Sequence, residues 1–253
     1  MTLISLARYS YKNARLLLFV RHCSEQKQVP LEDRYEEDIK LKISEASLPF
    51  VIELGWSKNA LSAGAESIGY PGIAHGIFAN GGADLVNYFQ KSSNSKLVDY
   101  LKQRQEVQSL KPVRSRVIIE ESVRERLKMI IPYLPRWPQA LAIMSLPQNV
   151  SNSLATLLTM VDDMCYYAGD QSVDFNWYAR RITLAGVYKA TELYLIQDNS
   201  ANYENTWKFL NNRINELTQV HDLMNKSNLL QVESTDTIKS AFITARNILG
   251  LNR

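Results

Sequence analysis

From about Glu36 onward, apolar residues recur three and four positions apart, and no stretch alternates apolar with polar for long. That spacing puts side chains on one face of an α-helix, and it predicts an all-α chain. Ile39, Ile43 and Ala46 open a first helix. Leu48, Phe50, Val51 and Leu54 carry it to Gly55, a suitable C-terminal stop. Ser57 is placed to cap the next helix, and Pro71 fits the first turn of another, with Gly69 just before it. A long amphipathic helix follows over 84–110. Pro112, Pro135 and Pro147 punctuate the middle of the chain. After Pro147 a stripe of Leu154, Leu157, Leu158, Val161, Cys165 and Ala168 marks a core face. The helix predicted over 174–198 is apolar nearly all round from Leu184 to Ile196, broken only by Lys189 and Glu192, which reads as a central buried helix. Helices over 203–225 and 235–251 complete the series.

Residues 57–88 have helix-turn-helix order: a short helix of small residues, a turn at Gly69, and a second short helix ending near Phe78. That order resembles the amino-terminal domain of TetR-type regulators, which would make the protein a DNA-binding transcriptional regulator. Charge opposes this reading. Between 57 and 90 the only charged side chains are Lys58, Glu66 and Asp84. The would-be recognition helix offers Gly, Ile, Ala, His and Phe, where base edges and phosphates call for Arg, Lys, Asn or Gln. A fold element kept for packing, with no nucleic acid as partner, fits better.

The net charge of +3 over 253 residues conceals a division. Residues 1–24 hold Arg8, Lys12, Arg15 and Arg21 and no acid; the remainder has 25 basic against 26 acidic residues. Arg8, Lys12 and Arg15 share a helical face, with Leu3, Leu6 and Leu17 off it. Such a basic, acid-free amphipathic start resembles a mitochondrial presequence. The apolar run 16–20 is short for a secretory signal, and a disordered basic tail is the plain alternative. Residues 25–35 then read as a polar linker, 36–90 as the helix-turn-helix-like subdomain, and 91–230 as the helical core.

Candidate chemistry is sparse. Two cysteines and three histidines give neither a disulfide framework nor a metal centre. Carboxylate-bridged di-iron bundles need Glu-x-x-His pairs, and here Glu216 and His221 are five apart. No nucleophile elbow, phosphate loop or cofactor signature is present, so the sequence predicts a protein that is not an enzyme and needs no cofactor. The distinctive stretch begins at Ser145 and carries Asp162, Asp163, Met164, Tyr166, Tyr167, Asp170, Asp174, Phe175, Trp177, Tyr178, Arg180 and Arg181. Exposed Trp and Tyr beside Arg and Asp have interface chemistry; core aromatics among solvated charges would read the same way.

The strings VDDM, YAGDQS and DFNWYARR in that stretch, with IPYLPRWPQAL at 131–141, ATELYLIQDNS and TWKFLNNRIN, closely resemble the mitochondrial Coq-nine family of ubiquinone-biosynthesis proteins. The resemblance covers roughly 48–253, and Cys165 stands where animal members have Trp. It implies a TetR-like helical bundle without DNA binding, a homodimer, and an apolar cavity for phospholipids and isoprenylated ubiquinone intermediates. It implies docking onto the demethoxyubiquinone hydroxylase, a separate di-iron enzyme, at the matrix face of the mitochondrial inner membrane. Matched residue by residue, the docking surface falls on Asp162, Met164, Asp174, Trp177 and Tyr178. Arg181 matches an arginine of the lipid site, where a guanidinium can pair with a phosphate or quinone head. Leu158, Val161, Phe175, Ile182 and Tyr188 are candidate cavity walls and equally plain core.

Residues 235–253 end the chain with an apolar stripe of Ile238, Phe242, Ala245 and Leu249, widened by Ile248, beside Lys239 and Arg246. The pattern suits an amphipathic helix lying on a membrane, the use the family makes of its last helix. Packing on the domain or on a second protomer is the alternative.

Overall fold

The computed structural model describes residues 31–108, 114–169 and 175–226, without the side chains of 31–34, 107–108, 175–179 and 218–226. Every regular element among the described residues is helical, as the spacing predicts. Helices α1 (Leu31–Ser47), α2 (Val51–Leu54), α3 (Lys58–Ser67) and α4 (Gly82–Gln108) come first. After them come α5 (Ser115–Lys128), α6 (Trp137–Met144), α7 (Pro147–Tyr167), α8 (Phe175–Gln197) and α9 (Glu204–Lys226), with short 3-10 turns between some of them. No described helix is long and apolar enough to cross a membrane.

The chain divides into two units after Lys42; the first holds the start of α1 and the second holds the bundle. In the bundle α4 packs against α5, α6 and α7, α5 also against α7 and α9, and α8 against α7 and α9. The core includes Leu85, Leu97, Leu101, Val123, Leu127, Ile130, Met160, Val161 and Leu195. Each such side chain withdrawn from water is worth about 1.5–3 kcal/mol.

Several expectations hold in detail. Ser57 accepts from the Ala60 N–H at 3.3 Å and its hydroxyl donates to the Leu54 carbonyl. Gly55 ends α2 at φ +70°, the left-handed region that suits glycine. Pro147 opens α7 at its first turn, where its missing N–H costs nothing.

Others change. The first helix starts at Leu31, inside the stretch read as linker, and stops at Ser47 instead of running to Gly55. Pro49 explains the stop: it lacks the N–H that would continue the ladder, so a 3-10 turn, Leu48–Phe50, intervenes before α2. The second helix of the helix-turn-helix pair is a six-residue 3-10 turn, Gly72–Ile77, that begins after Pro71. Its His75 Nδ1 lies 2.8 Å from the Gly72 carbonyl and 2.9 Å from the Ser62 hydroxyl, so the one titratable ring ties the turn to α3.

Helix α8 is not buried all round. Leu184, Ala185, Val187, Tyr188, Thr191, Glu192 and Leu195 face inward. Ile182, Leu193 and Tyr194 are exposed, with Gly186 and Ala190 exposed between them. An all-round apolar pattern has two solutions, complete burial or a second apolar face left open, and this helix takes the second. The amphipathic segment 235–253 lies outside the described residues.

Candidate functional site

Four helices meet around a cavity of about 380 Å³. Gln90 and Asn94 come from α4, Leu141 and Met144 from α6, Val150, Leu154, Leu157 and Met160 from α7, and Tyr188, Lys189, Glu192 and Leu193 from α8. The volume is at the low end of the roughly 300–1,000 Å³ typical of small-molecule sites. It suits a ring with the first units of a chain, and it is too small for a long polyprenyl tail. Its rim is greasy: Val150 of α7 and Leu193 of α8 both line it and are exposed, and Leu146, just before α7, is exposed as well.

An aromatic cluster is tied to it through Trp137, whose ring nitrogen donates to the lining residue Glu192. Trp56, Phe89, Tyr133 and Trp137 pack edge-on or tilted, with ring centroids 5.1–5.9 Å apart. The proline-rich 131–141 run builds this corner. Arg136 donates to the Ile52 and Glu53 carbonyls, closing the end of α2. Gln139 bridges to the Trp56 backbone, accepting at 3.0 Å. Trp137 Nε1 donates to Glu192 at 3.2 Å, and Lys189 reaches the same carboxylate at 2.7 Å. Glu192 is thereby buried with partners for its charge, the condition under which a buried carboxylate is tolerated.

On the other side of the cavity Arg126 is fully buried. Its Nε donates to Asn94 at 3.0 Å and its Nη2 to Gln90, while Nη1 has no hydrogen-bond partner. The Tyr188 hydroxyl is buried and unpartnered as well. Burial pushes it well above the ordinary tyrosine range; Arg126 pulls it back and Glu192 adds to the rise. Tyr188 is therefore a neutral donor at any ordinary pH.

Of the candidate lipid-site residues, Tyr188 alone among those described lines this cavity. Val161 is sealed in the core, Leu158 is half-buried, and Ile182 points outward at 44% exposure. Arg181 is spoken for: its Nε donates to Asp162 at 2.5 Å, with the guanidinium buried and the carboxylate half-exposed. One matched lipid-site residue and one matched docking residue thus form a single ion pair between α8 and α7. Asp163, beside them, is pushed up by burial and then by the Asp162 charge.

Met164 is fully buried, so it supports the Asp162 surface from beneath. Tyr166, half-exposed and edge-on to Tyr167 at 5.3 Å, presents an aromatic there that residue matching passed over. The side chains of Phe175, Trp177 and Tyr178 lie outside the described residues, though their backbone forms the first turn of α8. Asp174 is outside the described residues altogether, as are Ile238, Lys239, Phe242, Ala245, Arg246, Ile248 and Leu249.

Sequence reasoning missed Arg126, Gln90 and Asn94, and saw Glu192 only as an interruption. Glu192 did carry a signal: a lone acid inside an apolar run either faces water or has a buried partner. Arg126 carried none, since it sits in the charged string RERLK.

Comparison with known proteins gives a consistent picture. A family model described as COQ9 matches residues 150–221, and one described as ubiquinone biosynthesis protein COQ9, N-terminal domain, matches 36–66. A Drosophila melanogaster protein named ubiquinone biosynthesis protein COQ9, mitochondrial, is 43% identical over 213 residues, 84% of this chain and 65% of that protein. The Rattus norvegicus protein of the same name is 42% identical, over 86% of this chain and 71% of its own length. The Homo sapiens protein is 40% identical, covering 86% and 70%.

Proposed function

The chain belongs to the COQ9 family of ubiquinone biosynthesis proteins, and from that membership and the cavity beneath α6 we propose a lipid-binding accessory role. The protein binds isoprenylated quinone intermediates and presents them to the demethoxyubiquinone hydroxylase, at the matrix face of the mitochondrial inner membrane. It makes and breaks no bonds itself. The observation that carries this reading is the cavity: apolar walls from α6, α7 and α8, exposed Val150 and Leu193 among them, and a volume that takes a substituted ring with the start of its tail. The hydrophobic effect favours transfer of the apolar part by about 0.8 kcal/mol per buried methylene.

Two surfaces complete the role. Asp162, braced by Arg181, stands one helical turn before exposed Tyr166 on α7, and Trp177 and Tyr178 belong to the same proposed surface. Acid and aromatic groups together suit docking onto the hydroxylase. The open stripe of α8, Ile182, Gly186, Ala190 and Leu193, recurs at helical spacing and suits a second copy of the chain. Residues 235–253 serve as the membrane-lying helix that lets lipid enter, and 1–24 as the mitochondrial address.

The test is hydroxylase turnover of demethoxyubiquinone in liposomes, with and without this protein. Addition should raise turnover, and Trp177→Ala should remove most of that gain while leaving helicity and bound lipid unchanged. Equal turnover with and without the protein would remove the presenting role. Full stimulation by the variant would take Trp177 off the docking surface.

A further inference from the structure

The cavity's walls are mostly apolar, and where α8 faces α4 two buried donors, one in the wall and one behind it, are left without a partner. Tyr188 lines the cavity at 2% exposure, yet its hydroxyl has no partner. A buried hydroxyl without a partner is destabilising, and phenylalanine would supply the same packing without that penalty. Behind the wall, Arg126 is held by Asn94 and Gln90, two neutral amides that themselves line the cavity. Its Nη1 is also left over. The neighbouring polar groups are by contrast satisfied by one another: Glu192 accepts from Trp137 and Lys189. The unused capacity is therefore all of one kind, N–H and O–H donors. A pure hydrocarbon filling the space would seal both donors away unpaired.

We propose that the cavity has a polar subsite at Tyr188, whose hydroxyl donates to a carbonyl oxygen on the ring of the bound ligand while the adjoining Arg126 guanidinium supports the negative end of that carbonyl. The subsite deepens the lipid-cavity reading and rests on it. It makes the cavity selective for an oxygenated ring carrying an apolar chain, and it sets the orientation: the ring lies against α8 and α4, and the chain runs past Leu154 and Leu157 toward the rim. Gln90 and Asn94 are then positioning residues, since they hold the guanidinium and need not touch the ligand. Because burial keeps the Tyr188 proton in place, the subsite works unchanged across the ordinary pH range.

The full chain and its Tyr188→Phe variant would be titrated with two probes. One is a benzoquinone carrying two isoprenyl units; the other is a hydrocarbon of the same two units without the ring. Removal of an unpartnered hydroxyl should leave the thermal midpoint equal or higher. Hydrocarbon affinity should be unchanged, and quinone affinity should fall about tenfold, the loss expected for one hydrogen bond in a dry site. In the infrared, the bound quinone's carbonyl stretch should lie lower in frequency on the wild type than on the variant. Equal quinone affinity and an identical carbonyl band in the two proteins would overturn the subsite while leaving the cavity standing. Failure of both probes to bind the wild type would overturn the cavity reading, and the subsite with it.

Discussion

Asp198 shows how one side chain fixes a corner on which the site depends. It stands just beyond α8 and accepts from the Ser200 N–H at 2.9 Å, the Thr206 N–H at 2.8 Å and the Thr206 hydroxyl at 2.6 Å. Burial alone would raise its carboxyl; the hydrogen bonds from Thr206 and Ser200 outweigh that and hold it at about 2. A depressed folded-state value adds stability above the ordinary carboxylate range, and the addition is lost as pH falls toward 2. Asp198→Ala should therefore lower stability by about 0.5–2 kcal/mol at neutral pH, the usual range for a lost helix cap. The gap between the two proteins should close between about pH 4 and pH 2. Urea unfolding across that range measures it, and a gap that persists at pH 2 would assign the loss to packing. The corner matters because α8 must arrive in register to bring Glu192 to Trp137.

At the scale of elements, α8 is where pattern and structure part company. Its inward residues were legible from the 3.6-residue period. Its outward stripe was not, because Leu193 and Ile182 have the chemistry of core residues and nothing local distinguishes an apolar face left open from one sealed in the core. Gly186 sits mid-stripe, and a Cβ there would meet nothing within the chain. Gly186→Arg should thus leave the monomer folded while separating protomers by charge and bulk. Sedimentation should shift from dimer to monomer with unchanged helicity; a variant that remains dimeric would place the pairing face elsewhere. Other elements followed local rules closely. The Ser57 cap, the Gly55 stop and the Pro147 start were all visible, since each depends on one residue's own backbone chemistry. The break at Pro49 was equally local and was overrun by the apolar stripe that continues past it. The turn after Pro71 failed as a helix for another reason: six residues holding two glycines have too little propensity to form more than a 3-10 turn.

For the molecule as a whole, helical class and family were legible because both depend on strings of adjacent residues. The strings have clear structural tasks. IPYLPRWPQAL closes α2 and supplies Tyr133 and Trp137 to the aromatic cluster, and ATELYLIQDNS supplies Glu192 and the Asp198 corner. TWKFLNNRIN supplies Thr206, the Trp207 Nε1 bond to the Asn202 carbonyl and the Phe209 ring stacked on Tyr194. The cavity was far less legible. Gln90, Arg126, Met160 and Tyr188 are scattered over a hundred residues, and only the packing of α4 and α5 with α7 and α8 gathers them. A buried Arg126 looks like any surface arginine until its partners are known. The proposed docking region lies between these extremes: matching named Asp162 and Arg181 separately, and only the fold shows them bonded to each other.

The central claim is that this bundle carries an isoprenoid lipid in the cavity beneath α6. Native mass spectrometry followed by lipid extraction, on protein lacking residues 1–24 and incubated with quinone-bearing liposomes, tests it most directly. The account predicts one isoprenoid quinone retained per chain, displaced by filling the cavity with Leu157→Trp. Protein that stays empty, or that keeps its lipid unchanged in the filled variant, would contradict it.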